Sequence, residues 1–511
     1  MKKLPIGIQD FGELRRNGFL YVDKTELLYQ LTQAGKYYFL SRPRRFGKSL
    51  LVSTLAELFR GSQDLFEGLW IHDRWDWQQT HPVIHLSLNS LGYKELGLEK
   101  ALALRLNEIA ASYGLTLQSE ANSLRLRELI TTLSPQHGRV VVLIDEYDKP
   151  ILDYLDDLPR ARANRELLKS FFSVLKDADP HLRLVLLTGV SKFSRVSIFS
   201  ELNNLKDLTL HPQYTTLLGY TQDELEHYFA DRIEQLASRF GTQEALLAQI
   251  RRWYNGYSWD ARHYVYNPFS TLGFFDEGRF RNFWFESGTP TFLVKLLRKD
   301  WQYDLEQMQA SSLVFNSFEL DRIHPLALLF QTGYATIKAV DSEDIYTLSY
   351  PNWEVKDSLL QHLLSEYNYG YAAETSVSAQ RMKQALQQGE VAQFVLALNG
   401  LFASIPYQIF IADQEAFYHA VTFLALSLMG TFVQVEVSQA KGRPDAVVHT
   451  KETIYVLEFK LNQSAEAALE QIKQQGYAKP YLNQGKTVMV VGFNFNAKQK
   501  AIDQWQEESV G

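Results

Sequence analysis

The sequence predicts a multidomain α/β protein, and three observations predict it. An apolar run, Arg139 to Ile144, ends in two adjacent acids, Asp145 and Glu146. A short apolar stretch, Lys36 to Leu40, leads through a basic loop into Gly47-Lys48-Ser49 and a helical pattern. The C-terminal part reads helix, strand, strand, strand, helix, strand. Strands that are apolar throughout belong in the middle of a parallel sheet covered on both faces, and their alternation with helices is the mark of α/β architecture. The 511 residues suggest about three or four domains at roughly 100–200 residues each. The expected division is an α/β sandwich over 1–215, a mostly helical middle over 216–374 and the αβββαβ region over 375–511.

The first element to justify is the strand at Lys36 to Leu40. It is followed by Arg42-Pro43-Arg44-Arg45-Phe46-Gly47-Lys48-Ser49-Leu50 and a helix through Phe59. Strand, loop, Gly-Lys-Ser and helix is the layout of a phosphate-cradling P-loop. Backbone N–H groups at the helix start would face the phosphates of ATP, Lys48 would neutralise charge and Ser49 would ligate Mg²⁺. Arg45, Phe46, Gly47, Lys48, Ser49 and Leu50 are therefore the candidate cofactor-binding residues. The first glycine of the usual spacing is replaced by Arg42, and Gly-Lys-Ser alone would equally suit a basic loop capping a helix. The acid-terminated strand favours the P-loop. Asp145 would hold Mg²⁺ through water, and Glu146 would orient the hydrolytic water. A further strand, Arg183 to Leu187, runs into Thr188 and Ser191, either of which could sense the γ-phosphate. Arg195 is open as an arginine finger or a plain surface residue.

In the middle, Thr221-Gln222-Asp223-Glu224 has the spacing of a capping box and opens a helix expected to reach Leu236. Arg251 to Trp259 is basic and aromatic. Asn255-Gly256 at its centre favours a tight turn packed on a core over stacking on nucleic-acid bases. Leu326 to Phe330 reads as a helix, followed by a hairpin from Gly333–Ile337 and Tyr346–Leu348, a pattern that would suit a winged-helix lid.

The C-terminal region carries the densest chemistry. A helix from Glu415 to Met429, stopped by Gly430, precedes strands at Thr431–Val437, Asp445–His449 and Thr453–Lys460. A helix at Ala465–Tyr477 and a strand at Thr487–Phe493 follow. Glu458 and Lys460 are two apart on a strand and so point to one face. With Asp445 on the neighbouring strand they supply two carboxylates and an ammonium. Mg²⁺ needs only one or two protein carboxylates beside its waters and a substrate phosphate, and a bound metal lowers the pKa of water. Lys460 could steady the attacking water or the developing negative charge.

This order of elements, with Asp445 and Glu458-Phe459-Lys460 on adjacent strands, resembles the PD-(D/E)XK nuclease superfamily. The resemblance implies that Asp445, Glu458 and Lys460 are the metal and catalytic residues. It also implies that Glu415 is a further metal ligand and that Gln471 and Tyr477 line the site. Gly7 to Phe11, Tyr21 to Thr25, Arg42 to Leu50 and Leu143 to Pro150 resemble the AAA-ATPase-like family, which is commonly fused to such a nuclease domain and found mainly in bacteria. The Arg-Pro-Arg-Arg-Phe-Gly-Lys-Ser form is usual there. The implied architecture is a P-loop NTPase α/β sandwich, a helical, winged-helix-like middle and a C-terminal PD-(D/E)XK αβββαβ fold. The expected cofactors are ATP and Mg²⁺, with Mn²⁺ an alternative at the nuclease site.

Composition limits the partners. A net charge of −7, from 52 basic and 59 acidic residues, does not exclude nucleic acid, since phosphate binding rests on a local basic stripe. It argues against tight, passive, sequence-independent binding by the C-terminal domain alone, so metal ions or the ATPase module would have to help. With no cysteine, disulfides and thiolate zinc sites are excluded, which fits a reducing cytoplasm. The uncharged stretch between Glu415 and Glu436 reads as a buried helix and strand, not a membrane span. Two functions compete: an ATP-governed, Mg²⁺-dependent nuclease acting on nucleic acid, DNA favoured over RNA, in defence or repair, or an ATP-controlled switch with a silent nuclease fold. A homo-oligomer is compatible with either.

Overall fold

The computed structural model describes residues 1–192, 204–284, 305–306, 308–316, 318–319, 322–365, 372–405, 415–429, 434–437 and 444–510. The chain divides into two compact units, one formed by Met1–Gly288 and Leu305–Glu354, the other holding Val355–Gly511.

The first unit is built on a five-stranded sheet. Its strands are β1 (Tyr37–Ser41), β2 (Val83–Ser87), β3 (Val140–Asp145), β4 (Leu182–Gly189) and β5 (Lys206–Asp207). They lie in the order β2-β3-β4-β1-β5 and every pairing is parallel. All residues of β1 and β3 are buried, as their unbroken apolar runs require. Helix α1 (Lys48–Arg60) starts at the end of the β1 loop and packs on β3. Longer helices, α2 (Leu98–Ser112), α3 (Asn122–His137) and α4 (Leu158–Asp177), complete the crossovers. The Gly-Ile-Gln-Asp-Phe and Tyr-Val-Asp-Lys-Thr stretches brace this layer. Asp10 caps a short helix by accepting the Glu13 N–H at 2.7 Å, and Phe11 N–H reaches Ser53 on α1.

The rest of this unit is helical with a small sheet. Thr221 and Glu224 form the full reciprocal capping box at the head of α5 (Gln222–Tyr228). The expected continuous helix to Leu236 instead breaks at Phe229 and resumes as α6 (Ala230–Ala237), so Phe229 can turn into the core and stack on Phe275. Helices α7 (Gln243–Tyr254) and α8 (Pro268–Glu277) follow. Tyr254 and Tyr257 are buried around the Asn255-Gly256 turn, and Arg252 lies over the Trp353 ring, so this aromatic stretch packs a core. Strand β6 (Met308–Ser311), helix α9 (Pro325–Thr332) and the antiparallel pair β7 (Thr336–Val340) and β8 (Ile345–Ser349) close the unit.

The second unit begins with α10 (Trp353–Ser365), most of which follows Val355, then α11 (Ala372–Gln388), α12 (Val391–Ala403) and α13 (Glu415–Met429). Its sheet runs β9 (Gln434–Val437), β10 (Ala446–His449), β11 (Thr453–Leu461), β12 (Thr487–Asn496) and β13 (Ala501–Val510), in that order. Only the β11–β12 pair is parallel, because α14 (Ala465–Gln475) crosses between them. Leu469 and Ile472 of α14 are buried against Val447, Ile454 and Val456, each worth about 1.5–3 kcal/mol of burial. No helix among the described residues is long and apolar enough to cross a membrane.

Candidate functional site

The loop after β1 turns into α1 through two left-handed residues, Arg45 at φ 65° and Gly47 at φ 89°. A non-glycine there costs energy, so neighbours must hold it. The Arg45 guanidinium lies 3.6 Å over the Phe269 ring and donates to the Phe283 carbonyl at 3.3 Å. Phe46 is buried edge-on against Tyr257 and Trp259. Their side chains thus point into the fold, and any contact of Arg45 and Phe46 with a nucleotide falls to their backbone. Arg42, at the place of the missing glycine, is fully buried. It donates to the Ser41, Thr209 and Tyr214 carbonyls and stacks 3.8 Å over Trp259. Burial pushes its guanidinium down to about 9, which leaves it charged at neutral pH.

Lys48, 5 % exposed, points its Nζ back to the carbonyls of Arg42 and Pro43, each at 2.9 Å. It makes no ion pair with another side chain among the described residues, and burial lowers its pKa. A buried ammonium that donates to carbonyls, with the carboxylates of Glu146, Asp145 and Asp148 near but none of them ion-paired to it, suits an anion such as a phosphate. Ser49 donates to one Asp145 oxygen at 2.6 Å and Thr188 to the other at 2.5 Å. The ends of β3 and β4 and the start of α1 therefore meet on a single carboxylate. Ser49 and Asp145 fit a magnesium ion with phosphate: hydroxyl and carboxylate oxygens converge beside the lysine. Leu50, one residue on, gives its carbonyl to Thr54 within α1.

Glu146 follows at φ 53°, another left-handed non-glycine, with burial raising its carboxyl pKa and no partner for its Oε2 among the described residues. Sequence reasoning overlooked Asp148. It is buried and accepts from the Val190 N–H and from both the N–H and hydroxyl of Ser191. Of the two open sensor candidates, Thr188 thus sits on Asp145 and Ser191 on Asp148. The acid two residues after Glu146 was the signal for this. Arg195 lies outside the described residues.

At the other site, Glu458 is the hub, its side chain 3 % exposed. Its Oε1 accepts from Lys460 Nζ at 3.1 Å and from Gln471 Nε2 at 2.5 Å, and its Oε2 from the Asp445 N–H at 3.4 Å. Asp445 in turn accepts the Phe459 N–H at 2.7 Å. Burial first, and Asp445 second, raise the Glu458 pKa. A buried carboxylate whose ionisation is disfavoured, with a second carboxylate beside it, suits a divalent cation, although no cage of three or more His, Asp or Glu side chains forms among the described residues. Glu415 opens α13, and its side chain lies outside the described ones, as do Gly442 and Arg443. One turn along, His419 Nδ1 stands 3.9 Å from Asp445 Oδ1, a neighbour that its i+4 spacing from Glu415 could have flagged. Tyr477 packs with Ile454 and Val456, in the core that precedes Glu458 on the same face of β11.

A parallel sheet bearing a Gly-Lys-Ser helix start, followed by a mixed sheet bearing an Asp–Glu–Lys cluster, defines a class: an ATPase-like module joined to a nuclease-like one. Two family models match, one described as Predicted AAA-ATPase over residues 5–199 and one as PD-(D/E)XK nuclease superfamily over residues 413–505. A curated relative, the "Uncharacterized protein in vnfD 5'region" of Azotobacter chroococcum mcd 1, is 40% identical over 524 residues, covering 100% of this chain and 99% of that one. The chain belongs to the family of AAA-ATPase-like proteins that carry a C-terminal PD-(D/E)XK nuclease-superfamily domain. Among solved structures, the Aeropyrum pernix ORC1 protein in complex with DNA matches 67% of this chain and 92% of its own, at 14% identity and a TM-score of 0.25.

Proposed function

We propose that this protein binds and hydrolyses ATP at its P-loop and cleaves nucleic acid, DNA in preference to RNA, at Asp445, Glu458 and Lys460 in its C-terminal domain, in the bacterial cytoplasm. The nucleotide half rests on one carboxylate, Asp145, gathering the hydroxyls of Ser49 and Thr188 beside the buried Lys48. The cleavage half rests on Glu458 joining Asp445, Lys460 and Gln471.

In this reading Asp145 and Ser49 hold Mg²⁺ at the nucleotide, and Asp445 and Glu458, with Glu415, hold Mg²⁺ or Mn²⁺ at the nuclease site. Bound there, the metal supplies Lewis-acid charge and a water acidified toward hydroxide. Lys48 neutralises phosphate charge, and Glu146, whose burial raises its pKa and so makes it a better base, orients a water for attack. Lys460 stands beside Glu458 to neutralise charge developing on the scissile phosphate. The working role is defence or repair, with ATP governing when the nuclease meets its substrate and a homo-oligomer as one way to complete the ATPase.

Labelled DNA and RNA incubated with the purified protein and Mg²⁺ or Mn²⁺ test the cleavage half. Asp445→Ala or Lys460→Ala should slow cleavage by about 10²-fold or more. If wild type and Asp445→Ala behave alike on all substrates, the ATP-controlled switch with a silent nuclease fold replaces the nuclease. Lys48→Ala should abolish ATP binding, while Glu146→Gln should keep binding and lose turnover. Equal turnover in wild type and Glu146→Gln removes Glu146 from the water-orienting role.

A further inference from the structure

Glu354 is a fully buried carboxylate far in sequence from both motifs, 0% exposed, and the last residue of the first unit before the chain passes into the second at Val355. Its Oε1 accepts two successive backbone N–H groups, those of Phe283 at 2.7 Å and Trp284 at 2.9 Å. A buried carboxylate is costly unless hydrogen bonds or a partner charge compensate it, and these two bonds hold a short stretch outside any helix or strand.

That stretch in turn holds the phosphate loop at two successive residues. The Phe283 carbonyl accepts from the Arg45 guanidinium at 3.3 Å, and the Trp284 indole N–H donates to the Arg44 carbonyl at 3.4 Å. Arg45 is the left-handed non-glycine of the loop, whose backbone needs an outside hold, and Lys48 bonds to the carbonyls of Arg42 and Pro43 just before it. The connection from Glu354 to the loop thus runs through two short backbone segments and one indole, all within the first unit.

We propose that Glu354 is a positioning residue for the nucleotide site, holding Arg44 and Arg45 in the conformation that binds a nucleoside triphosphate through its grip on Phe283 and Trp284. The inference rests on the P-loop reading and deepens it by adding a residue that touches no nucleotide. The anion grips the two N–H groups more strongly than the neutral acid, because charge-assisted hydrogen bonds are the stronger ones. Burial, opposed by Ser270, by those N–H groups and by Arg45, sets its carboxyl at about 7, so the grip changes across neutral pH. Among the described residues, the other titratable side chains facing it are Tyr254 and Tyr257, whose own pKa values burial pushes upward, so they stay neutral throughout.

The test is equilibrium titration of the full-length protein with a fluorescent ATP analogue and Mg²⁺ between pH 6 and 8. Wild type should bind roughly threefold more tightly at pH 8 than at pH 6. Glu354→Gln, which keeps an acceptor oxygen for both N–H groups, should bind with little dependence on pH. Glu354→Ala should bind roughly tenfold or more weakly. A wild type that binds no nucleotide overturns the P-loop reading and this inference with it. A wild type that binds, with Glu354→Ala folded and equally tight and the pH dependence shared by Glu354→Gln, overturns the positioning role alone. Should Glu354→Ala fail to fold by circular dichroism, Trp284→Phe and Arg45→Ala decide: weakened binding in both supports the role, and wild-type binding in both overturns it.

Discussion

Glu458 closes an otherwise apolar face of β11 that begins with Ile454 and Val456. Its folded pKa is raised, so the proton it carries favours the folded state. That contribution is fully present below the unfolded value and is lost as pH rises through the folded one. In metal-free buffer, Glu458→Gln is therefore expected to raise the melting temperature at pH 8 more than at pH 5, and an equal shift at both pH values would contradict the assignment. The pair Glu458 and Lys460 was legible because a strand repeats every two residues, whatever surrounds it. Gln471 was legible only through the family resemblance, and it does reach Glu458. Tyr477 was named on the same ground yet packs in the core, because the turn after α14 brings it over Ile454 and Val456. Asp148 escaped notice since its importance depends on Val190 and Ser191, more than 40 residues away.

At the scale of elements, α14 must lie close on β12 for Gln471 to reach Glu458. Gly492, opposite Glu458 in the sheet, permits that approach: a Cβ there would stand 2.4 Å from the Ala465 carbonyl oxygen and 2.8 Å from the Leu469 nitrogen. Both atoms are backbone, so the helix itself must shift. Gly492→Ala should cost about 1–3 kcal/mol in chemical denaturation, and should reduce any metal-dependent cleavage by more than the lost stability explains. A variant as stable as wild type would show that the helix has room to give. The capping box at Thr221 was readable because it is local. The break at Phe229 was not, since a distant ring, Phe275, draws that side chain inward. Strand β13 was missed altogether. Its sequence, Ala-Ile-Asp-Gln-Trp-Gln-Glu-Glu-Ser-Val, is polar and mostly exposed, and it is extended because β12 offers a sheet edge to pair with.

For the whole molecule, each of the two compact units has its own sheet and core. Calorimetry should therefore resolve two unfolding transitions. Mg²⁺ with ATP should raise the one belonging to the first unit, by about 2.7 kcal/mol when ligand is a hundredfold above its Kd. Lys48→Ala should remove that shift and leave the other transition unchanged. A shift that survives in Lys48→Ala would place the nucleotide elsewhere.

The sequence by itself determined the chemistry on offer: which strands are apolar throughout, where Gly47-Lys48-Ser49 begins a helix, and that Asp445, at the head of one strand, adjoins the strand carrying Glu458 and Lys460. Those follow from backbone periodicity and residue type, which act over a few residues. Only the tertiary structure decided that β4 lies between β1 and β3, so that Thr188 and Ser49 share Asp145. It alone decided that Arg42 could replace a glycine, because three carbonyls and the Trp259 ring surround its charge. It alone brought Glu354 to Phe283 and Trp284, which hold the loop that Lys48 ends. The reason is physical: a buried charge is tolerated only where groups distant in sequence converge on it, and no local pattern records that convergence.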